Sequence, residues 1–292
     1  MFKVAILGCE NSHANSFLNA IYKDKIVTDV EVVGVYGYDP VNTDAAQKLH
    51  DEYGVYVAEN YDEFVGKVDG VIITARHGDH HYKYAKPYLD SGIPMFIDKP
   101  ITCTEEDAKE FMDKLKARNI PVTGGSVCAL TPYVQELKKA VAEGTYGKVY
   151  GGFVRAPMNL DNPYGGFFFY TQHLAEVTLE IFGCYPKSVQ VFPKNDTYTC
   201  VLRYENFDVI MEYVHLNGLY YAGISCENAV VGDTYPITTD DFYHEFTEFH
   251  DLLLGKPQKK TYEDFFAPVY VLNAVKRSLE SGKEEPICYF HA

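Results

Sequence analysis

The chain has 292 residues, 47% hydrophobic and 23% charged, an ordinary globular composition with length enough for two domains. Its net charge of −15 argues against a nucleic-acid or anionic-membrane partner, and no apolar run approaches the roughly 18 residues of a membrane span. Seven scattered cysteines without a CxxC pair point to free thiols in a reducing cytoplasm. The opening MFKVAILG already reads as a strand, so no signal peptide is expected.

Lys3–Leu7 reads as a buried strand stopped by Gly8, followed by a helix carrying Phe17, Leu18 and Ile21. Val30–Tyr38 is the next strand and ends in Asp39-Pro40. Strand, glycine, helix, strand and acid is the layout of a dinucleotide-binding βαβ unit. The glycine admits backbone amides to a pyrophosphate, the helix amino end favours negative charge, and the acid takes a ribose hydroxyl. Asp39 therefore favours NAD over NADP. The loop Gly8-Cys9-Glu10-Asn11-Ser12-His13 holds only the first glycine of G-x-G-x-x-G. A Rossmann-type fold that does not bind a dinucleotide stays open on that account.

Ala45, Ala46 and Leu49 predict a helix, Val55 and Val57 a short strand, and Asp62 the start of a helical turn. Val71–Ile73 is an apolar run suited to a parallel strand buried on both faces. The polar stretch Arg76–His81 follows as a loop, then a helix with Tyr84, Tyr88 and Leu89 that Ser91-Gly92 closes. Pro94–Ile97 is a strand ending in Asp98-Lys99-Pro100. Ligands of open α/β sheets bind outside the carboxyl ends of the strands, so His77–His81 and Asp98-Lys99 are expected on one rim. Thr104 reads as the cap of a helix whose Ala108, Phe111, Met112 and Leu115 share a face. Ile120–Thr123 is the last strand before Gly124-Gly125, where the domain boundary is placed.

Beyond it, Thr131-Pro132 opens a helix, and consecutive strands follow at Lys148–Arg155, Ser188–Phe192, Thr197–Tyr204, Asp208–Val214 and Tyr221–Val231. A helix near Gln172–Phe182 interrupts them, and two more, Asp241–Leu254 and Tyr262–Ser281, close the chain. The expected fold is α/β. Residues 1–123 form an amino-terminal Rossmann parallel sheet, and residues 124–292 a carboxyl-terminal α+β domain with an open, mostly antiparallel sheet. An apolar free face of that sheet is expected to join a homodimer or homotetramer.

The order of these motifs resembles the glucose–fructose oxidoreductase and inositol dehydrogenase (Gfo/Idh/MocA) family of NAD(P)-dependent oxidoreductases. The family's A-T-P-N-x-x-H, G-K-H-V and E-K-P are matched by Thr74-Ala75-Arg76-His77-Gly78-Asp79-His80, Gly92-Ile93-Pro94-Met95 and Asp98-Lys99-Pro100. Asp39-Pro40, the Glu245–Phe249 helix and the Gly255-Lys256-Pro257 turn are similar as well. The resemblance implies NAD as cofactor, bound by Gly8, Glu10, Asn11, Ser12, His13, Asp39, Thr74, Ala75, Arg76, His77, His80, Asp98 and Lys99. It implies that Lys99 hydrogen-bonds a substrate hydroxyl or moves its proton as hydride leaves. The family's D-x-x-x-H motif and later acid are matched at His173 and Glu176, but Phe169 stands at the Asp. In R-F-x-P, Ala129 replaces the arginine.

Lys99 and His173 are thus the expected catalytic pair, meeting across a domain cleft. Arg155, Asn159, Tyr170, His173 and Glu176, with Lys99, are expected to hold a small-molecule substrate: a sugar, polyol or related hydroxy compound. No metal is expected, and no nucleic-acid or membrane partner. Two other functions stay open: a catalytically degenerate dinucleotide- or sugar-binding regulatory protein, and a metal-assisted lyase or hydrolase using the histidines near His77–His81.

Overall fold

The computed structural model describes residues 1–37 and 44–290. In chain order the elements are β1 (Phe2–Leu7), α1 (Ser12–Leu18), β2 (Val30–Tyr36), α2 (Ala45–Tyr53), β3 (Gly70–Ile73), α3 (Gly78–Ala85), β4 (Met95–Asp98), α4 (Glu105–Arg118) and β5 (Val122–Gly125). They continue as α5 (Pro132–Ala142), β6 (Val149–Met158), α6 (Phe168–Phe182), β7 (Ser188–Lys194), β8 (Thr197–Arg203), β9 (Asp208–His215), β10 (Tyr221–Cys226), β11 (Val230–Thr234), α7 (Thr239–Leu253), α8 (Tyr262–Ser281) and β12 (Glu285–Pro286). The chain divides into two compact units. One comprises Met1–Thr102, Asp107–Gly125 and Thr238–Phe265. The other comprises Cys103–Glu106, Ser126–Ile237 and Phe266–Ala292.

The first unit is built on a five-stranded parallel sheet of order β2-β1-β3-β4-β5. Its central strands are apolar on both faces, because helices cover both. Val4, Ile6, Ile72 and Phe96 form one core with Phe17 and Leu18 of α1, Leu49 of α2, and Phe246 and Phe249 of α7. The Tyr82 ring of α3 stacks on Phe111 of α4 at 4.8 Å. Sequence reasoning had placed α7 with the carboxyl-terminal half, but its aromatic stripe completes the first unit. Phe246 lies 5.5 Å from Phe17, and a Cβ on Gly70 would meet Leu253 at 2.8 Å and Phe249 at 2.9 Å.

Several local expectations are corrected. The second strand ends at Tyr36, and Asp39 lies outside the described residues. The Val55–Val57 strand is a single bridge from Val57 to Val35, and the stretch from Asp62 forms turns. The stretch Arg76–His81 is not simply a loop. His77 caps α3, its Nδ1 accepting the Asp79 N–H at 3.3 Å, and His80 and His81 lie within the helix. Tyr88 and Leu89 fall in a 3₁₀ turn, Lys86–Ser91, that ends on left-handed Gly92.

The second unit carries a seven-stranded sheet of order β11-β10-β6-β9-β8-β7-β12. All its pairings are antiparallel except β6 with β9, which run parallel, so the sheet is mixed. Tyr221–Val231, read as one strand, is a hairpin of β10 and β11. Val154, Ala156 and Met158 of β6 are buried on the face that α6 covers, and the Ser278 hydroxyl of α8 accepts the Val191 N–H of β7 at 3.0 Å. The other face presents exposed Phe192, and exposed Tyr150, Ile210 and Val230 around a depression of 410 Å³.

All seven cysteines are free. Among the described residues no helix is long and apolar enough to cross a membrane.

Candidate active site

In the first unit the carboxyl ends of β1, β3 and β4 build one rim. Gly8 ends β1 at φ +86°, and a Cβ there would lie 2.3 Å from the Ala75 nitrogen, so only glycine fits. The Gly8 N–H donates to the Tyr36 carbonyl at 2.7 Å, and the Thr74 hydroxyl donates to the Gly8 carbonyl at 3.0 Å. Gly8, Thr74 and Ala75 thus lock the β1 loop against the end of β3. Glu10 is folded inward and 5% exposed, one carboxylate oxygen accepting the Arg76 N–H at 3.3 Å. Its charge, after burial, helps push the Cys9 thiol up to about 12. Ser12 is exposed and donates to Asn11 Oδ1 at 3.2 Å.

Asp98 is fully buried at the end of β4. Its Oδ1 accepts the Lys99 backbone N–H at 2.7 Å, and its Oδ2 accepts the Asn11 amide at 2.6 Å and lies 3.1 Å from His13 Nδ1. His13 Nε2 lies 3.4 Å from Glu245 of α7. Burial opposes charge on this ring, but Asp98 and then Glu245 outweigh it and hold its pKa above the usual histidine value. Lys99 follows Asp98 and is itself 5% exposed, an unusual setting for a lysine.

Of the other histidines, His80 stacks on Tyr84 at 5.4 Å and lies 5.7 Å from the His77 ring. Burial, then the charges of His77 and Lys83, lower its pKa. His81 is fully buried, with Nδ1 2.7 Å from the Pro100 carbonyl and Nε2 2.7 Å from the Ala75 carbonyl. Burial is the largest influence and keeps its pKa below the ordinary value. His81 therefore sits between the segments that follow β3 and β4, its single N–H donating to one of the two carbonyls.

In the second unit His173 lies on α6, 5% exposed. Its Nδ1 lies 2.6 Å from Ser126 Oγ and 3.3 Å from Cys128 Sγ. Ser126 is held in turn. Its N–H donates to Glu176 Oε2 at 3.0 Å, and Oγ accepts the Cys128 N–H at 3.2 Å. Gln172 donates to the other Glu176 oxygen at 2.6 Å. Tyr170 lies 6.0 Å from the His173 ring, and Tyr220, raised in pKa by burial and then by Cys128, is a further phenol near this cluster. At the position of the family's aspartate, Phe169 is 7% exposed and packs on Tyr164 at 5.8 Å and Tyr170 at 4.8 Å.

The structure brings Tyr170, His173 and Glu176 together on α6. Asn159 lies half-buried in the loop after β6. Arg155, expected at the substrate, is not brought to His173: it alternates with Val154 and Ala156 onto the sheet face opposite α6. There it donates to Glu212 at 3.1 Å and to the Leu219 carbonyl at 3.0 Å. Sequence reasoning missed Ser126, Cys128 and Gln172, and missed Glu245 as a partner of His13. Gln172 four residues before Glu176 was visible as helical spacing; the other contacts join distant segments and leave no local signal.

Residues 2–125 match the model of the Gfo/Idh/MocA oxidoreductase family with an NAD-binding Rossmann fold. An uncharacterized oxidoreductase of Streptococcus pneumoniae is 30% identical over 114 residues, which is 38% of this chain and 30% of that protein. The chain thus matches less than a third of that relative's length. Among solved structures, scyllo-inositol dehydrogenase from Lactobacillus casei with bound NAD(H) and scyllo-inositol is 16% identical. It superposes with a TM-score of 0.83 over 98% of this chain and 99% of that one. Myo-inositol 2-dehydrogenase from Lactobacillus plantarum gives the same score, identity and coverage. At such identity these likenesses speak for the fold.

Proposed function

We propose, from the premise that the amino-terminal domain belongs to the Gfo/Idh/MocA oxidoreductase family, that this protein is an NAD-dependent dehydrogenase of a sugar, polyol or related hydroxy compound. The observation that carries the reading is Lys99, a buried lysine at the carboxyl end of β4, on the rim where Gly8 meets Ala75. The close approach of Gly8 to Ala75 fixes the start of the loop where a dinucleotide would bind, and Glu10 is turned onto Arg76. NAD would be held by Gly8 and its loop, Thr74 and Ala75, with Asn11 and Asp98 beneath the Lys99 turn. Hydride exchange is the chemistry that NAD supplies when bound.

The chain's own residues handle the proton. Lys99 takes it from, or returns it to, the substrate hydroxyl. His173, its Nδ1 held by Ser126, is a second proton-handling group. The test is a cofactor-reduction screen over myo-inositol, scyllo-inositol and other polyols, with wild type and Lys99→Ala side by side. Loss of such a group costs about 10²–10⁴-fold in rate, so Lys99→Ala should lose that much turnover and keep its NAD affinity. Near-normal turnover in the variant removes the assignment. Titration of both cofactors should favour NAD; tighter NADP binding would contradict the role given to Asp39.

Phe169 favours a second reading, a dinucleotide- or sugar-binding regulatory protein, since a buried ring replaces the family's acid. NAD binding without turnover of any polyol would select it. We further propose a cytoplasmic homodimer or homotetramer joined through the exposed face around Tyr150, Phe192 and Ile210. A stable monomer in light scattering at micromolar concentration would exclude that assembly.

A further inference from the structure

His13 has no part in the chemistry above, yet it is among the most constrained groups of the first unit. It is 4% exposed, and Asp98 and Glu245 beside it are 0% and 1% exposed. Their oxygens lie 3.1 Å from Nδ1 and 3.4 Å from Nε2. A neutral imidazole has one N–H, so one of these carboxylates would face a nitrogen lone pair; the imidazolium suits both. Asp98 then passes the constraint on, its other oxygen accepting the Lys99 backbone N–H at 2.7 Å.

We propose that His13 is a positioning residue for the reaction: as an imidazolium between Asp98 and Glu245, it fixes through Asp98 the backbone turn that carries Lys99. The inference rests on the reading that Lys99 handles the substrate proton. It ties that lysine to α7, which supplies Glu245 from far along the chain.

The charged groups that act on His13 are Asp98 from β4, Glu245 from α7 and Lys99, the last opposing its charge. From α1 and α7 the rings of Phe17, at 6.0 Å, and Phe242, at 5.0 Å, meet it edge-on and carry no charge. Its pKa is raised, so the clamp holds at low and neutral pH and is lost as pH rises through that raised value. Turnover should therefore show an alkaline limb set by His13. Glu245→Gln removes one of the two carboxylates that hold the proton and should move the limb to lower pH. His13→Gln cannot ionise, so it should show a lowered kcat without the limb.

The decisive experiment combines two measurements on the full chain. Hydrogen exchange reads the Lys99 amide with no ligand present. The pH profile of kcat is taken with NAD and whichever inositol wild type oxidises. His13→Gln should lose protection at the Lys99 amide by about tenfold, the scale of one hydrogen bond to a charged group, while the amides of β1 keep theirs. With NAD saturating, kcat should fall. Unchanged protection at Lys99, or identical alkaline limbs in wild type and Glu245→Gln, overturns the proposal. Should His13→Gln fail to fold, Glu245→Gln decides alone, since it keeps the His13–Asp98 pair. Failure of wild type to bind NAD would sink the dehydrogenase reading, while the exchange at Lys99 still decides the clamp.

Discussion

Phe169 stands one helical turn before His173, where the family pattern asks for an acid. Its ring is buried against Tyr164 and Tyr170, so the site has been rebuilt around an aromatic rather than left with a gap. Phe169→Asp would place a carboxylate in that buried aromatic cluster. A buried, uncompensated charge costs roughly 3–5 kcal/mol, and urea unfolding should show a loss of that order. A variant as stable as wild type, with higher turnover, would mean that the acid's place has been kept. His173 was legible at this scale because its motif is local. Its partners Ser126 and Cys128 were not, because a 2.6 Å contact between a loop and a helix far apart in sequence leaves no periodicity to read.

Strands β1, β3 and β4 were legible as short apolar runs stopped by polar residues, since strands buried on both faces have no other pattern to show. Helix α3 was harder. Its first turn is nearly all polar, and the burial of His81 comes from two carbonyls supplied by the ends of neighbouring strands. The β10–β11 hairpin was missed although Glu227-Asn228, the polar pair between the two strands, marks where the chain reverses.

The clearest test of an element junction is the end of β1. Gly8→Ala meets both a left-handed backbone and the Ala75 nitrogen at 2.3 Å, whereas Gly54→Ala, at φ +71° after α2, has nothing within 4 Å. Gly54→Ala should cost about 1–2 kcal/mol. Gly8→Ala should cost more and should also abolish NAD binding, as denaturant midpoints and cofactor titration would show. Equal losses at the two sites would mean that the β1–β3 contact can relax.

Across the whole molecule, opposed histidines set the pH range of stability. His81 and His80 have lowered pKa values, so their contribution is present above the unfolded histidine value near 6.5 and is lost as pH falls. His13 is raised, so its contribution is complete below that value and is lost as pH rises through its own. Cys9, at about 12, adds a further loss once an unfolded thiol ionises, above about pH 9. Thermal midpoints should therefore peak near neutrality and fall on both sides, with His13→Gln flattening the first part of the alkaline decline. A midpoint that keeps rising from neutral to alkaline pH would contradict this balance.

Helix α7 also sets a schedule. The strands of the first sheet are all made by Gly125, but the face that holds Phe17 and Phe96 lacks Phe246 and Phe249 until residues 238–265 exist. A ribosome must translate β6 to β11, six of the seven strands of the second sheet, in between. Throughout that interval the nascent Rossmann sheet has an open apolar flank, and neither Glu245 nor the His13 clamp can form. Vectorial synthesis therefore cannot finish the first unit first. A fragment ending at Gly125 should be sticky and chaperone-dependent, and supplying α7 as a separate peptide is the natural way to restore it.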